Sequence, residues 1–121
     1  MGRPREFDID SAVTAATTLF VADGYEGCSM DGLVQATGVH RGSLYAAFGS
    51  KRGIFLECLR ASMVHAGDRS DLLLVALGEL AARDEEVRSL CTQAIGTWGD
   101  QAAQELGTRL LARAGLNKGS R

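Results

Sequence analysis

The strongest constraint on how this chain can fold is one stretch, SMDGLVQATGVHRGSLYAAF, which runs from Ser29 to Phe48 and is followed at once by Gly49-Ser-Lys-Arg52. Ser29 carries the short hydroxyl that caps free N–H groups at a helix start, and Asp31 adds negative charge where the helix dipole is positive. Leu33 and Val34 then face inward. Thr37-Gly38-Val39 interrupts the helix, because Gly38 can take the left-handed conformation a sharp turn needs and Val39 can plug the corner. A second short helix follows, in which the spacing of Leu44 and Phe48 gives them one buried face. Arg41, Gly42, Ser43 and Tyr45 are left pointing outward, and the whole reads as a helix-turn-helix.

That outward set suits a groove of DNA. Arg41 can fork onto a guanine edge or hold a phosphate, Gly42 lets the helix approach the bases closely, and Ser43 is short enough for either. Tyr45 reaches a phosphate oxygen, and His40 is read as a helix-start or phosphate-facing residue. Ser50 restarts a helix as its cap, so Lys51 and Arg52 stand where backbone N–H groups and the dipole attract an anion. The bland alternative is a pair of short helices joined by a glycine turn, common in all-helical proteins.

The surroundings decide between the two. A long amphipathic helix, Gly24-Tyr25, a Ser-capped helix, the Thr-Gly-Val turn, GSLYxxF and then GSK opening a fourth helix follow in order. This arrangement resembles the TetR/AcrR family of bacterial transcription regulators over roughly residues 3 to 66. The resemblance implies a three-helix DNA-binding domain, with the third helix in the major groove and the fourth leading into a regulatory domain. It places Ser29, Arg41, Gly42, Ser43, Tyr45 and Lys51 on DNA-contacting positions. Many members carry a second aromatic residue and a histidine where this chain has Ala46 and Ala47, so two backbone contacts are missing.

The fold class expected is all-α and TetR-like but shortened. Residues 1–50 form the helix-turn-helix domain, and residues 51–121 form a linking fourth helix plus a short helical regulatory or dimerisation domain. Only about 55 residues follow the fourth helix, where family members usually have well over a hundred.

Composition excludes several function classes. The net charge of −2 gives no global attraction to nucleic acid, and residues 1–53 hold five Arg or Lys against six Asp or Glu. Binding must therefore rest on local placement: Arg3 and Arg5 in an N-terminal arm, with Arg41, Lys51 and Arg52, can form a positive strip. The alternative for the arm is a solvated tail. No apolar run approaches the ~20 residues that span a bilayer, and the polar N-terminus lacks a signal-peptide core, so no membrane partner and a cytoplasmic location are expected. Cys28, Cys58 and Cys91 are odd in number and lack CxxC spacing, which favours core filling over a disulfide framework or zinc. His40 and His65 stand at no metal-ligand spacing, and the scattered carboxylates form no catalytic constellation. No metal, cofactor or enzymatic activity is implied.

Helical periodicity continues along the chain. A first helix from about Asp10 to Asp23 buries Val13, Ala16, Leu19 and Phe20, with Tyr25 closing the corner after Gly24. A fourth, from Lys51 to about Ala66, aligns Ile54, Phe55, Cys58, Leu59 and Met63, and Gly67-Asp68-Arg69 breaks it. Ser70 caps Leu72-Leu-Leu-Val-Ala-Leu77, which is apolar nearly all round. Asp84 caps a helix carrying Val87, Leu90, Cys91, Ala94, Ile95 and Trp98, and Ala103, Leu106, Leu110 and Ala114 mark a last one before a frayed tail from Asn117. Gly78, Gly96 and Gly107 each cost about 1 kcal/mol in an exposed helix interior, explained either by close helix packing or by composition bias.

One short recognition helix reads few bases, and two-fold symmetry spaces two of them about 34 Å apart on a palindrome. A homodimer on a double-stranded operator is therefore expected, with Leu73, Leu74, Leu77 and Trp98 as dimer contacts. The function expected is sequence-specific transcriptional regulation, most simply repression. Release by a small-molecule effector acting through the fourth helix follows from the resemblance alone. The alternative is a truncated member that pairs with a full-length relative and lends or withholds a half-site.

Overall fold

The computed structural model describes residues 7–64 and 70–116, and every regular element among them is helical. The helices are α1 (Ile9–Asp23), α2 (Met30–Thr37), α3 (Arg41–Phe48), α4 (Lys51–Val64), α5 (Ser70–Glu79), α6 (Glu85–Gly96) and α7 (Ala102–Arg113). Short 3-10 turns at Ala81–Arg83 and Gly99–Gln101 lead into α6 and α7. The expected arm residues Arg3 and Arg5, His65, the break at Gly67-Asp68-Arg69 and the tail from Asn117 lie outside the described residues.

Two compact units divide the chain, Met1–Ala61 and Ser62–Arg121. In the first, Asp8 caps α1 by accepting from the Asp10 N–H at 3.0 Å, two residues ahead of the expected start. The Gly24 N–H closes the helix on the Phe20 carbonyl at 2.8 Å. Ala12, Ala16 and Phe20 are buried, while Val13 and Leu19 are only half-buried. Thr17 is buried as well, which the apolar pattern missed; its hydroxyl donates to the Val13 carbonyl at 2.8 Å, so no polar group is stranded.

The division falls inside α4, later than a boundary at residue 50, because Ile54, Phe55, Cys58 and Leu59 are all buried. Phe55 meets Phe20 edge-on with ring centres 5.0 Å apart, and the Cys58 thiol donates to the Val13 carbonyl at 3.5 Å. α4 is thus welded to α1.

In the second unit α5 packs against both α6 and α7. Leu72, Leu73, Val75 and Ala76 are buried there together with Leu80, Ala81, Val87 and Cys91. Asp84 caps α6 through the Val87 N–H at 3.1 Å, as its position in the sequence implied. Arg88 donates to the Ala81 carbonyl at 2.7 Å and ties α6 back to the preceding turn. Burial pushes the Cys91 thiol up to about 11, as befits a core residue. All three cysteines are buried and none is in a disulfide.

Among the described residues a Cβ added at Gly78, Gly96 or Gly107 would meet nothing within 4 Å, so no close packing among them requires glycine. The α7 stripe is also not buried: Leu110 is 55% exposed, Ala103 and Ala114 are exposed, and Leu106 is half-buried. Its amphipathic pattern marks the helix correctly, but α5 covers the stripe only in part.

A very tight backbone approach in the first unit is at Gly53, where a Cβ would lie 1.9 Å from the Phe48 carbonyl oxygen. Gly53→Ala is expected to force the α3–α4 turn apart and to lower stability by about 1–3 kcal/mol, read as a fall in the urea midpoint; an unchanged midpoint contradicts the packing described.

Candidate nucleic-acid interface

The helix-turn-helix is built by local hydrogen bonds that the residue types dictate. The Ser29 hydroxyl accepts from the Gly32 N–H at 3.0 Å and starts α2. At its other end Gly38 adopts the left-handed region, φ 73 and ψ 14, and its N–H reaches the Val34 carbonyl at 2.9 Å. Thr37 adds a bridge that the sequence did not disclose. Its hydroxyl donates to the Leu33 carbonyl at 2.7 Å and accepts from the Val39 N–H at 3.1 Å, so it spans the turn on both sides. Val39 is buried in the corner between the helices.

α3 has one buried side chain, Leu44, and Phe48 one turn later is half-buried. With that face inward, Arg41, Gly42, Tyr45, Ala46 and Ala47 are exposed and Ser43 is half-buried. His40 is the N-terminal flanking residue of α3, exposed, and makes no side-chain cap. A Cβ added at Gly42 would meet open space, so nothing among the described residues requires glycine there. Tyr45, 42% exposed, is one of the few large apolar surfaces in this unit open to solvent.

Charge on this face is paired. The Arg41 guanidinium bonds the Asp31 carboxylate, which links the first turn of α3 to the first turn of α2. Asp31 is 83% exposed and Arg41 48%, so water screens the pair and a competing anion can reach it. In the sequence Asp31 offers only a favourable charge at a helix start. The partners are ten residues apart, and only the turn geometry brings them together.

At the start of α4 the Ser50 hydroxyl accepts from the Gly53 N–H at 2.9 Å, as a cap should. Lys51, read from sequence as a phosphate ligand, directs its ammonium to the backbone carbonyls of Tyr25 and Cys28, both at 3.0 Å. The Cys28 thiol lies close by; burial pushes its pKa up, the Lys51 charge pulls it down, and Asp23 pushes it up again. Among the described residues no cluster of His, Cys, Asp or Glu could hold a metal ion.

The residues expected at a dimer contact lie in the second unit. Leu73 is buried within the chain, whereas Leu74, Leu77 and Trp98 are half-buried.

Known proteins align with the part of the chain that holds this face. Residues 12–58 match the family model for bacterial regulatory proteins, tetR family. Over 58 residues the chain is 48% identical to the HTH-type transcriptional repressor ComR of Escherichia coli (strain K12), covering 48% of this chain and 28% of that protein. Over 58 residues it is 43% identical to the HTH-type transcriptional repressor BdcR of the same organism, covering 48% of this chain and 29% of that one. An uncharacterized HTH-type transcriptional regulator of Bacillus subtilis (strain 168), YezE, is 39% identical over 61 residues, covering 50% of this chain and 31% of its own length. The chain therefore matches less than a third of the length of these relatives. No solved structure matches it.

Asp31→Asn keeps the side-chain size, releases Arg41 and removes a negative charge from this face. Affinity for a mixed-sequence DNA duplex at low salt is expected to rise about three- to tenfold, since one like-charge repulsion of roughly 1 kcal/mol disappears. Fluorescence anisotropy measures it, and unchanged or weaker binding means that Asp31 does not restrain Arg41.

Proposed function

We infer that this chain, which belongs to the tetR family of bacterial regulatory proteins through residues 12–58, is a sequence-specific DNA-binding regulator of transcription. The observation that carries the reading is the exposed first half of α3. Arg41, Gly42 and Tyr45 share one open face, backed by buried Leu44, on a helix of eight residues. Such a helix fits the major groove, where Arg41 would exchange its Asp31 partner for a guanine edge or a phosphate. Gly42 would let the backbone come close, Ser43 and Tyr45 would bond phosphates, and Ser29 and His40 would flank the contact from the two helix starts.

The regulator acts as a homodimer on a palindromic operator, in the cytoplasm, and represses by occupying it. Relatives named as repressors favour that direction of control. Leu74, Leu77 and Trp98, only half-covered in the single chain, favour self-association, and so do Leu110 and Leu111 of α7, 55% and 44% exposed. Release by a small effector is kept as the family's usual switch.

The test is selection of duplexes from sheared genomic DNA by the purified chain, beside Gly42→Ala. Alanine is favoured over glycine in a helix by about 1 kcal/mol, and its Cβ meets open space here, so the variant should be at least as stable as the parent. Its methyl would stand between α3 and the base edges. The parent is expected to enrich a palindrome, and Gly42→Ala to bind it at least about tenfold more weakly, a loss of roughly 1.4 kcal/mol. Parent-like binding by Gly42→Ala would remove α3 from the interface.

A further inference from the structure

Lys51 is the first residue of α4, and its ammonium is committed to the protein itself. Nζ donates to the carbonyls of Tyr25 and Cys28, each at 3.0 Å, and lies 4.3 Å from the centre of the Tyr25 ring. Two of its three N–H donors are used in this way, and the charge rests on carbonyl dipoles and a ring face. The ring is held in turn: Tyr25 stacks on Phe20 at 5.9 Å and meets Phe55 edge-on at 5.3 Å. Both carbonyls belong to the α1–α2 loop, and Cys28 directly precedes Ser29, the cap of α2.

Residues 28 and 51 bracket the helix-turn-helix, one just before α2 and the other just after α3. We infer that Lys51 is a positioning residue for DNA binding: by holding the Tyr25 and Cys28 carbonyls it closes that bracket and fixes how α2 and α3 are presented, without contacting a phosphate. The inference rests on the DNA-binding reading above. A compact ammonium suits the task, since it bonds two carbonyls and still lies on a ring, whereas a planar guanidinium fans its donors in one plane. The lysine therefore orders the surface that binds instead of adding to its attraction.

Direct contact and positioning leave different signatures. A phosphate contact contributes about 0.9 to the slope of log affinity against log salt, and a positioning residue contributes none. The experiment compares the full chain with Lys51→Met and Lys51→Gln, the latter neutral but keeping two N–H donors. Amide hydrogen exchange is followed in the free proteins, and anisotropy titration with a short mixed-sequence duplex is run over a range of salt. For Lys51→Met the expectation is faster exchange across residues 24–29 with α6 unchanged, DNA affinity down about tenfold, and the salt slope kept. Lys51→Gln should fall between parent and Lys51→Met in both exchange and affinity, again with the slope kept. It decides the matter by the same readings if Lys51→Met does not fold. A slope lower by about one contact in either variant overturns the inference, as does unchanged loop exchange or unchanged affinity. Failure of the parent chain to bind any duplex would instead contradict the DNA-binding reading, and is told apart because a failed tether leaves parent binding intact.

Discussion

The edge-on contact between Phe20 and Phe55 is what the rest of the first unit depends on. It joins the last turn of α1 to α4, and neither ring has any exposed surface. Aromatic pairs of this geometry add roughly 0.5–1.5 kcal/mol to the large apolar area they bury. Tyr25 lies against both rings and carries the Lys51 ammonium on its face, so the α1–α2 loop is fastened to the same cluster. α2 and α3 are too short to be stable alone. They hold their places because Leu33 and Leu44, both fully buried, join this core.

On that foundation the outer face of α3 has few structural duties among the described residues. Gly42 fills no tight space, Tyr45 packs only in part, and Arg41 is held by an exposed carboxylate that an incoming anion can displace. Local rules would prefer alanine at position 42 and a buried aromatic at position 45. Where a sequence departs from such rules without an internal reason, an external partner is the natural explanation. The acidic balance of the chain fits the same account, because affinity then depends on a few placed groups and not on a general positive field.

Much of this was legible in the sequence because it is written in local chemistry. Ser29, Gly38, Ser50 and Asp84 act as caps or turns through atoms within a few residues of themselves, and the stripes of α1, α4 and α6 follow helical spacing. What escaped was long-range or polar. The Arg41–Asp31 pair and the Lys51 bonds to Tyr25 and Cys28 join residues brought close only by the tertiary turn. Thr17 is buried because its hydroxyl folds back onto its own helix, which an apolar pattern cannot register. Leu73 and the α7 leucines show the converse: periodicity says that a face is apolar but not what covers it.

The central claim is that the exposed turn of α3 is the surface that meets DNA. The most direct measurement is amide chemical-shift mapping of the labelled chain as a duplex carrying the selected palindrome is added. The account predicts the largest shifts at Arg41, Gly42, Ser43 and Tyr45, with smaller ones at Ser29 and Asp31. Largest shifts on α1 or α7, or none at saturating duplex, would contradict it.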